Sequence, residues 1–134
     1  AWVRQNDKSI KIIGVEVNDS ACLTEALKLN KRVLLKKVGL FADGVAVSQV
    51  GKHNLDVIKE CVDEVITVNI DEVCAAVKDI FEDTRVLSEP SGAVALAGLK
   101  IIFKNLVLLL KDLSLEKIEK KFLVLKFLKR QAAF

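Results

Sequence analysis

Two short stretches hold the residues whose types and spacing could support chemistry, Ala42-Asp43-Gly44 and Ser88-Glu89-Pro90-Ser91-Gly92. Asp-Gly reads as a tight turn, and a glycine there leaves backbone open to the close approach of a neighbour or ligand. Glu89 precedes a proline that can start a helix, so it reads as a carboxylate favoured by the helix dipole. His53, the only histidine, sits between Lys52 and Asn54 with no nucleophile or ligand partner at a recognisable spacing, and is expected to be a solvated side chain. Cys22, Cys61 and Cys74 form no Cys-x-x-Cys pair and read as buried free thiols. Gly39, Gly44 and Gly51 are isolated, so no glycine cluster precedes a helix to cradle a phosphate. These patterns assign neither a catalytic residue nor a metal ligand.

The elements that must position these residues alternate. Ile10 to Val17 is a β-branched, nearly continuous apolar run suited to a strand buried on both faces of a parallel sheet. Asp19 or Ser20 then caps a helix whose apolar positions are Cys22, Leu23, Ala26 and Leu27. Arg32 to Val38 has the apolar content of a further strand. Leu55, Ile58 and Val62 keep helical spacing within Val50 to Val62, and Val65 to Val68 reads as a second buried strand. Asn69 with Glu72 three residues on resembles a capping box before the stripe Val73, Val77, Ile80, Phe81. From Pro90 a helix with a small face follows (Gly92, Ala93, Ala95, Ala97, Gly98), its start served by Ser88 or Glu89. The expected fold is α/β, part of a three-layer domain with short parallel strands and flanking helices.

The chain has 134 residues and a formal charge of +3, unevenly spread. Residues 1–99 carry 12 Lys and Arg against 15 Asp and Glu, whereas residues 100–134 carry 9 against 3. The basic part is rich in Leu and Lys, has helical potential over Phe103 to Leu110, and ends in an expected amphipathic helix with Ser114 as cap and Leu115, Ile118, Phe122, Leu125 and Leu128 on one face. Its polar positions also carry Asp112, Glu116 and Glu119, so protein packing is favoured over nucleic acid or membrane. The longest uninterrupted apolar run after Leu99 spans only Leu106 to Leu110, short of a membrane crossing, and the start lacks a signal-peptide pattern. A cytoplasmic location is expected.

Taken in order, Val15-Glu16, Asp19-Ser20-Ala21-Cys22, the run Val38-Gly39-Leu40-Phe41-Ala42-Asp43-Gly44-Val45-Ala46-Val47 and Ser88-Glu89-Pro90-Ser91-Gly92-Ala93 resemble the later half of the catalytic domain of biosynthetic threonine deaminases. These are pyridoxal-phosphate-dependent lyases of the tryptophan synthase β fold group. The resemblance runs from about Lys11 to Leu99, which makes residues 1–99 a partial catalytic domain and residues 100–134 a basic tail outside the family pattern. A change of reading frame, a gene fusion or ordinary divergence would each produce such a junction.

The resemblance implies that Gly44 lies beside the cofactor ring and that Glu89 supports the hydrogen-bond network around it. It implies a loop-like crossing segment in place of a strand at Arg32 to Val38. The family's Schiff-base lysine and glycine loop lie upstream of the matching residues, and its Ser-Gly-Ala-Asn turn has no counterpart near Ile118; Lys36 and Lys37 are not assigned the lysine's role. Glu16 is similar to a metal-binding glutamate of related serine racemases, but Ser20 and Cys22 stand where that site has its further ligands. A thiol is a poor ligand for Mg²⁺ or Ca²⁺, so Glu16 is expected to serve backbone N–H groups instead.

The chain, which contains no methionine, is therefore expected to be a fragment of a threonine ammonia-lyase, inactive alone. Its expected partner is the N-terminal half of the catalytic domain or a second copy of itself, with threonine bound only in the complete enzyme. The alternative is a non-catalytic α/β interaction module or one half of a split enzyme. Either way an exposed apolar surface is expected.

Overall fold

A computed structural model describes residues 1–111. Its elements are α1 (Trp2–Asn6), β1 (Ile13–Val17), α2 (Cys22–Lys28), α3 (Lys52–Cys61), β2 (Glu64–Val68), α4 (Ile70–Thr84) and α5 (Pro90–Lys111). Short 3₁₀ turns occupy Asn18–Ser20 and Asp43–Val45. The two strands pair in parallel, in the register Ile13↔Glu64 through Val17↔Val68. The α/β class and the parallel pairing agree with the sequence pattern. The amphipathic helix expected from Ser114 to Leu128 lies outside the described residues.

Residues 1–99 form one compact unit, and the described residues from Lys100 on belong to a second. Within the first, helices cover both faces of the sheet. Successive side chains of a strand point to opposite faces; Val15 meets Gly98 of α5, while Glu16 reaches the start of α2. Val17, Val68, Val73, Ala76, Ala93, Val94 and Ala97 are buried. A second cluster joins Cys22 and Ala26 of α2 to Val50 and Leu55 of α3, with Leu23, Leu27, Leu35 and Ile58 packed around it.

Local signals explain most boundaries. Asn69 Oδ1 accepts the Glu72 N–H at 2.9 Å and Glu72 Oε2 accepts the Asn69 N–H at 2.8 Å, the reciprocal cap expected at α4. Arg85 ends α4 in the left-handed region (φ 60°), its guanidinium 5.9 Å from the Phe81 ring. At the opposite sheet end, Asp63 accepts both the Ile12 N–H (2.7 Å) and the Arg4 guanidinium, and Arg4 also donates to the Cys61 carbonyl. This ties α1 to the entry of β2. The backbone N–H of Ile12 and the Arg4 cation together hold the Asp63 carboxyl below its ordinary range.

Two expectations, the cap of α2 and the burial of all three thiols, are corrected, and the open reading of Arg32 to Val38 is resolved. Neither Asp19 nor Ser20 caps α2: Ser20 Oγ donates to Asp19 Oδ1 at 2.9 Å, and Glu16 takes over the helix amides. Arg32 to Val38 takes the loop-like course that the family resemblance implied and not the strand suggested by its apolar content, because its backbone makes single bonds (Leu35 N–H to Ser48 O, 2.8 Å) rather than a ladder. Of the three thiols only Cys22 is buried; Cys61 is half-buried and Cys74 exposed, since Cys74 lies off the Val73/Ala76 stripe. Beyond Leu99, α5 continues to Lys111, and Pro90–Leu109, with mean hydropathy 1.8, is by length and composition alone apolar enough to span a membrane, a test that the core helix of a soluble protein passes too. Its Ala93, Val94 and Ala97 serve the core of the first unit.

Candidate functional site

The turn at Asp43–Val45 and the start of α5 meet. A Cβ placed on Gly44 would lie 2.9 Å from Ser91 Oγ, 3.1 Å from Ser91 Cβ and 3.6 Å from Glu89 Oε1. Gly44 and Glu89, forty-odd residues apart in sequence, are thus neighbours, and a side chain at Gly44 would press on Ser91, whose Cβ is fixed to the helix backbone. Glu89 is exposed, and its carbonyl accepts the Gly92 N–H at 3.1 Å and the Ser88 hydroxyl at 3.0 Å. The Ser88 hydroxyl is therefore spent on holding the turn into α5.

Ser91 is the residue that the sequence reading quoted but did not single out. Its Oγ is shielded from solvent and has no hydrogen-bond partner among the described residues. Buried hydroxyls are normally paired, so this one marks the contact between turn and helix as unusual. The only sequence signal for it was its place in Glu-Pro-Ser-Gly.

Glu16 lines the neighbouring open cavity. Its Oε1 accepts the Leu23 N–H at 2.8 Å; its Oε2 accepts the Thr24 N–H and the Thr24 hydroxyl, each at 2.7 Å. A carboxylate from mid-strand thereby satisfies the free amides at the start of α2. Burial, and then the negative charge of Glu16, push the Cys22 thiol pKa up, so Cys22 stays protonated and a poor nucleophile. Glu16, Ser20, Cys22, Gly44, Val47 and Asn54 are among the residues lining an open cavity of about 290 Å³. Among the described residues no three His, Cys, Asp or Glu side chains cluster in a way that could hold a metal.

His53 is exposed near the start of α3, and Lys36 and Lys37 are exposed in the irregular crossing segment. The chemistry within reach of Gly44, Glu89 and Ser91 is the orientation of a bound group by a carboxylate, a hydroxyl and exposed backbone. None of the three is a nucleophile paired with a base.

Comparison with known proteins identifies the family of the chain. The L-threonine dehydratase biosynthetic IlvA of Pasteurella multocida is 55% identical over 103 residues, covering 77% of this chain and 20% of that protein. The mitochondrial threonine dehydratase of Saccharomyces cerevisiae is 52% identical over 100 residues, covering 75% of this chain and 17% of that protein. The processed form of threonine deaminase isoform 2 from Solanum lycopersicum superposes with a TM-score of 0.71 at 41% identity, over 72% of this chain and 28% of that one. The chain spans about a fifth of the length of the curated relatives it matches. The family description that matches, pyridoxal-phosphate dependent enzyme, covers residues 1–109, ten residues further at each end than the motifs alone suggest. The chain belongs to the pyridoxal-phosphate dependent enzyme family.

Proposed function

We propose that this chain contributes one wall of the cofactor site of a threonine ammonia-lyase, the enzyme class that converts threonine to 2-oxobutanoate and ammonia for isoleucine synthesis. The observation that carries the reading is the convergence of Gly44, Glu89 and Ser91, two segments distant in sequence meeting at an unpaired buried hydroxyl. The residues fit one side of a pyridoxal phosphate ring: Gly44 offers backbone without a side chain, and Glu89 and Ser91 offer a carboxylate and a hydroxyl. When bound, the cofactor supplies an electron sink for the amino acid's α-carbon. The chain's own residues orient and enclose. The base and the phosphate cradle would have to come from a partner, for which the preceding part of such a catalytic domain is the natural candidate. In this reading the first turns of α5 belong to a protein core, not a membrane, and the protein is cytoplasmic.

A second reading, an α/β interaction module without catalysis, is favoured by the apolar side chains left in solvent, including Trp2 (74%), Leu34 (67%), Leu40 (84%) and Leu87 (78%). Co-expression with the first part of the Pasteurella multocida relative distinguishes the two. The lyase reading expects a co-purifying complex that forms 2-oxobutanoate from threonine, with neither part active alone. A stable complex without turnover in the presence of pyridoxal phosphate supports the interaction module and overturns the lyase reading.

A further inference from the structure

Past Leu99, α5 separates two kinds of residue. Each step along a helix turns about 100°, so Phe103, Leu106 and Val107 share one stripe, and Lys100 and Lys104 lie together along one flank of it. Phe103 and Val107 are exposed and Leu106 is half-buried. From Pro90 to Lys111 the helix carries no acidic residue. A partner that fits this surface is apolar along one line and acidic along a matching edge.

The 23 residues that follow Lys111 lie outside the described ones, and their sequence carries that pattern. Leu115, Ile118, Phe122 and Leu125 are spaced by three, four and three residues. Glu116 and Glu119 each come directly after a stripe residue, as Lys104 comes directly after Phe103. When two right-handed helices lie antiparallel with their stripes facing, flanks of the same sense fall on the same side. A hairpin that sets Val107 against Ile118 sets Phe103 against Phe122, because each pair is reached by an equal step from the bend, and it brings Glu119 beside Lys104. Lys117, Lys120 and Lys121 point away from the stripe in such a hairpin. Lys126 falls on the basic flank level with Lys100, so the favourable stretch ends near Phe122.

We propose that residues 114–122 fold back antiparallel along the distal part of α5, covering Phe103, Leu106 and Val107 with Ile118 and Phe122 and pairing Glu119 with Lys104. Asp112 and Leu113 supply the two-residue connection that an antiparallel helix pair needs. This occupant is tethered to the face that it covers, so its local concentration is high, whereas a second copy or a lipid surface must be recruited from solution. The inference is independent of the cofactor-wall reading above.

The test uses the full 134-residue chain with Cys61→Ser and Cys74→Ser, which remove the half-buried and exposed thiols and leave only the buried Cys22. Val107→Cys is combined with Ile118→Cys and oxidised with glutathione disulfide. Helices packed about 8–10 Å apart bring facing Cα atoms within disulfide range. The expected result is a monomer with a disulfide linking positions 107 and 118. That bond should form about tenfold faster than with Leu108→Cys and Ile118→Cys, because position 108 points away from the stripe and disulfide geometry is exacting. Glu119→Lys should slow the bond about two- to threefold, the scale of an exposed ion pair, and adding Lys104→Glu should restore it. In the unsubstituted chain, nuclear Overhauser contacts between the Phe103 and Phe122 rings are expected, and their absence overturns the proposal. Equal rates for positions 107 and 108 overturn it too. Disulfide-linked dimers in place of the monomer would assign the stripe to a second copy. Flotation with phosphatidylcholine–phosphatidylglycerol vesicles and no bond between positions 107 and 118 would assign it to a bilayer; either result overturns the hairpin. A failed co-expression experiment would leave all these outcomes unchanged.

Discussion

Gly98 of α5 and Val15 of β1 lie so close that a Cβ on the glycine would sit 2.6 and 2.8 Å from the two valine methyls and 3.3 Å from its Cβ. The helix approaches the sheet at this one point by dispensing with a side chain. Gly98→Ala gains about 1 kcal/mol of helix propensity but overpacks a buried contact, which costs about 1–3 kcal/mol. A net loss of stability is expected in a denaturant melt, and Val15→Ala in the same chain should recover it. A Gly98→Ala variant more stable than the wild type would show that α5 yields at this position.

Glu16 carries the start of α2 on its two carboxylate oxygens. Removing them in Glu16→Ala strands amides that bonded to a charged acceptor, with an expected cost of about 1.5–3 kcal/mol. Glu16→Gln, which keeps one oxygen, is expected to lose less. Circular dichroism melts of the two variants check the order.

At α4 the reciprocal cap is exposed, so its loss is milder. Asn69→Ala is expected to destabilise by about 0.5–2 kcal/mol, and Asn69→Asp, which preserves the acceptor, by less. Urea midpoints provide the comparison.

The Asp63 anchor of α1 gives a pH signature. Its folded carboxyl is depressed, first by the Ile12 N–H and then by Arg4, so its contribution is complete above the ordinary carboxylate range and is lost as the pH falls through the folded value. Asp63→Asn should therefore melt below the wild type at neutral pH. The gap should close on acidification through and below the ordinary aspartate range. A gap that persists in acid would mean that the carboxylate charge is not the cause.

How much of this was legible depended on whether a signal was local. The β-branched runs gave both strands, and Asn69 with Glu72 gave the start of α4, because strand burial and capping boxes are written within a few residues. The cap of α2 was not legible in that way. Its acceptor, Glu16, lies seven and eight residues before the amides it serves, across a 3₁₀ turn that carries two better-looking candidates, Asp19 and Ser20. The irregular course of Arg32 to Val38 came from the family resemblance alone, because apolar content does not reveal whether a neighbouring strand exists to pair with. Gly44 and Glu89 could be chosen as site candidates, but their meeting at Ser91 is a tertiary fact. No spacing rule encodes it.

The parallel pairing of β1 with β2 sets the order in which the chain can fold. Partners such as Ile13 and Glu64 are about fifty residues apart, so α2, the crossing segment, the Gly44 turn and α3 all lie inside the loop that must close before the first ladder bond forms. Closure of that length costs entropy that no local contact returns, which makes β1–β2 docking a slow step. Until it happens, Val15 has no sheet to stand in and Gly98 nothing to lie against. The wall at Gly44, Glu89 and Ser91 therefore waits on this closure and on the docking of α5 at Val15, a contact of still longer range.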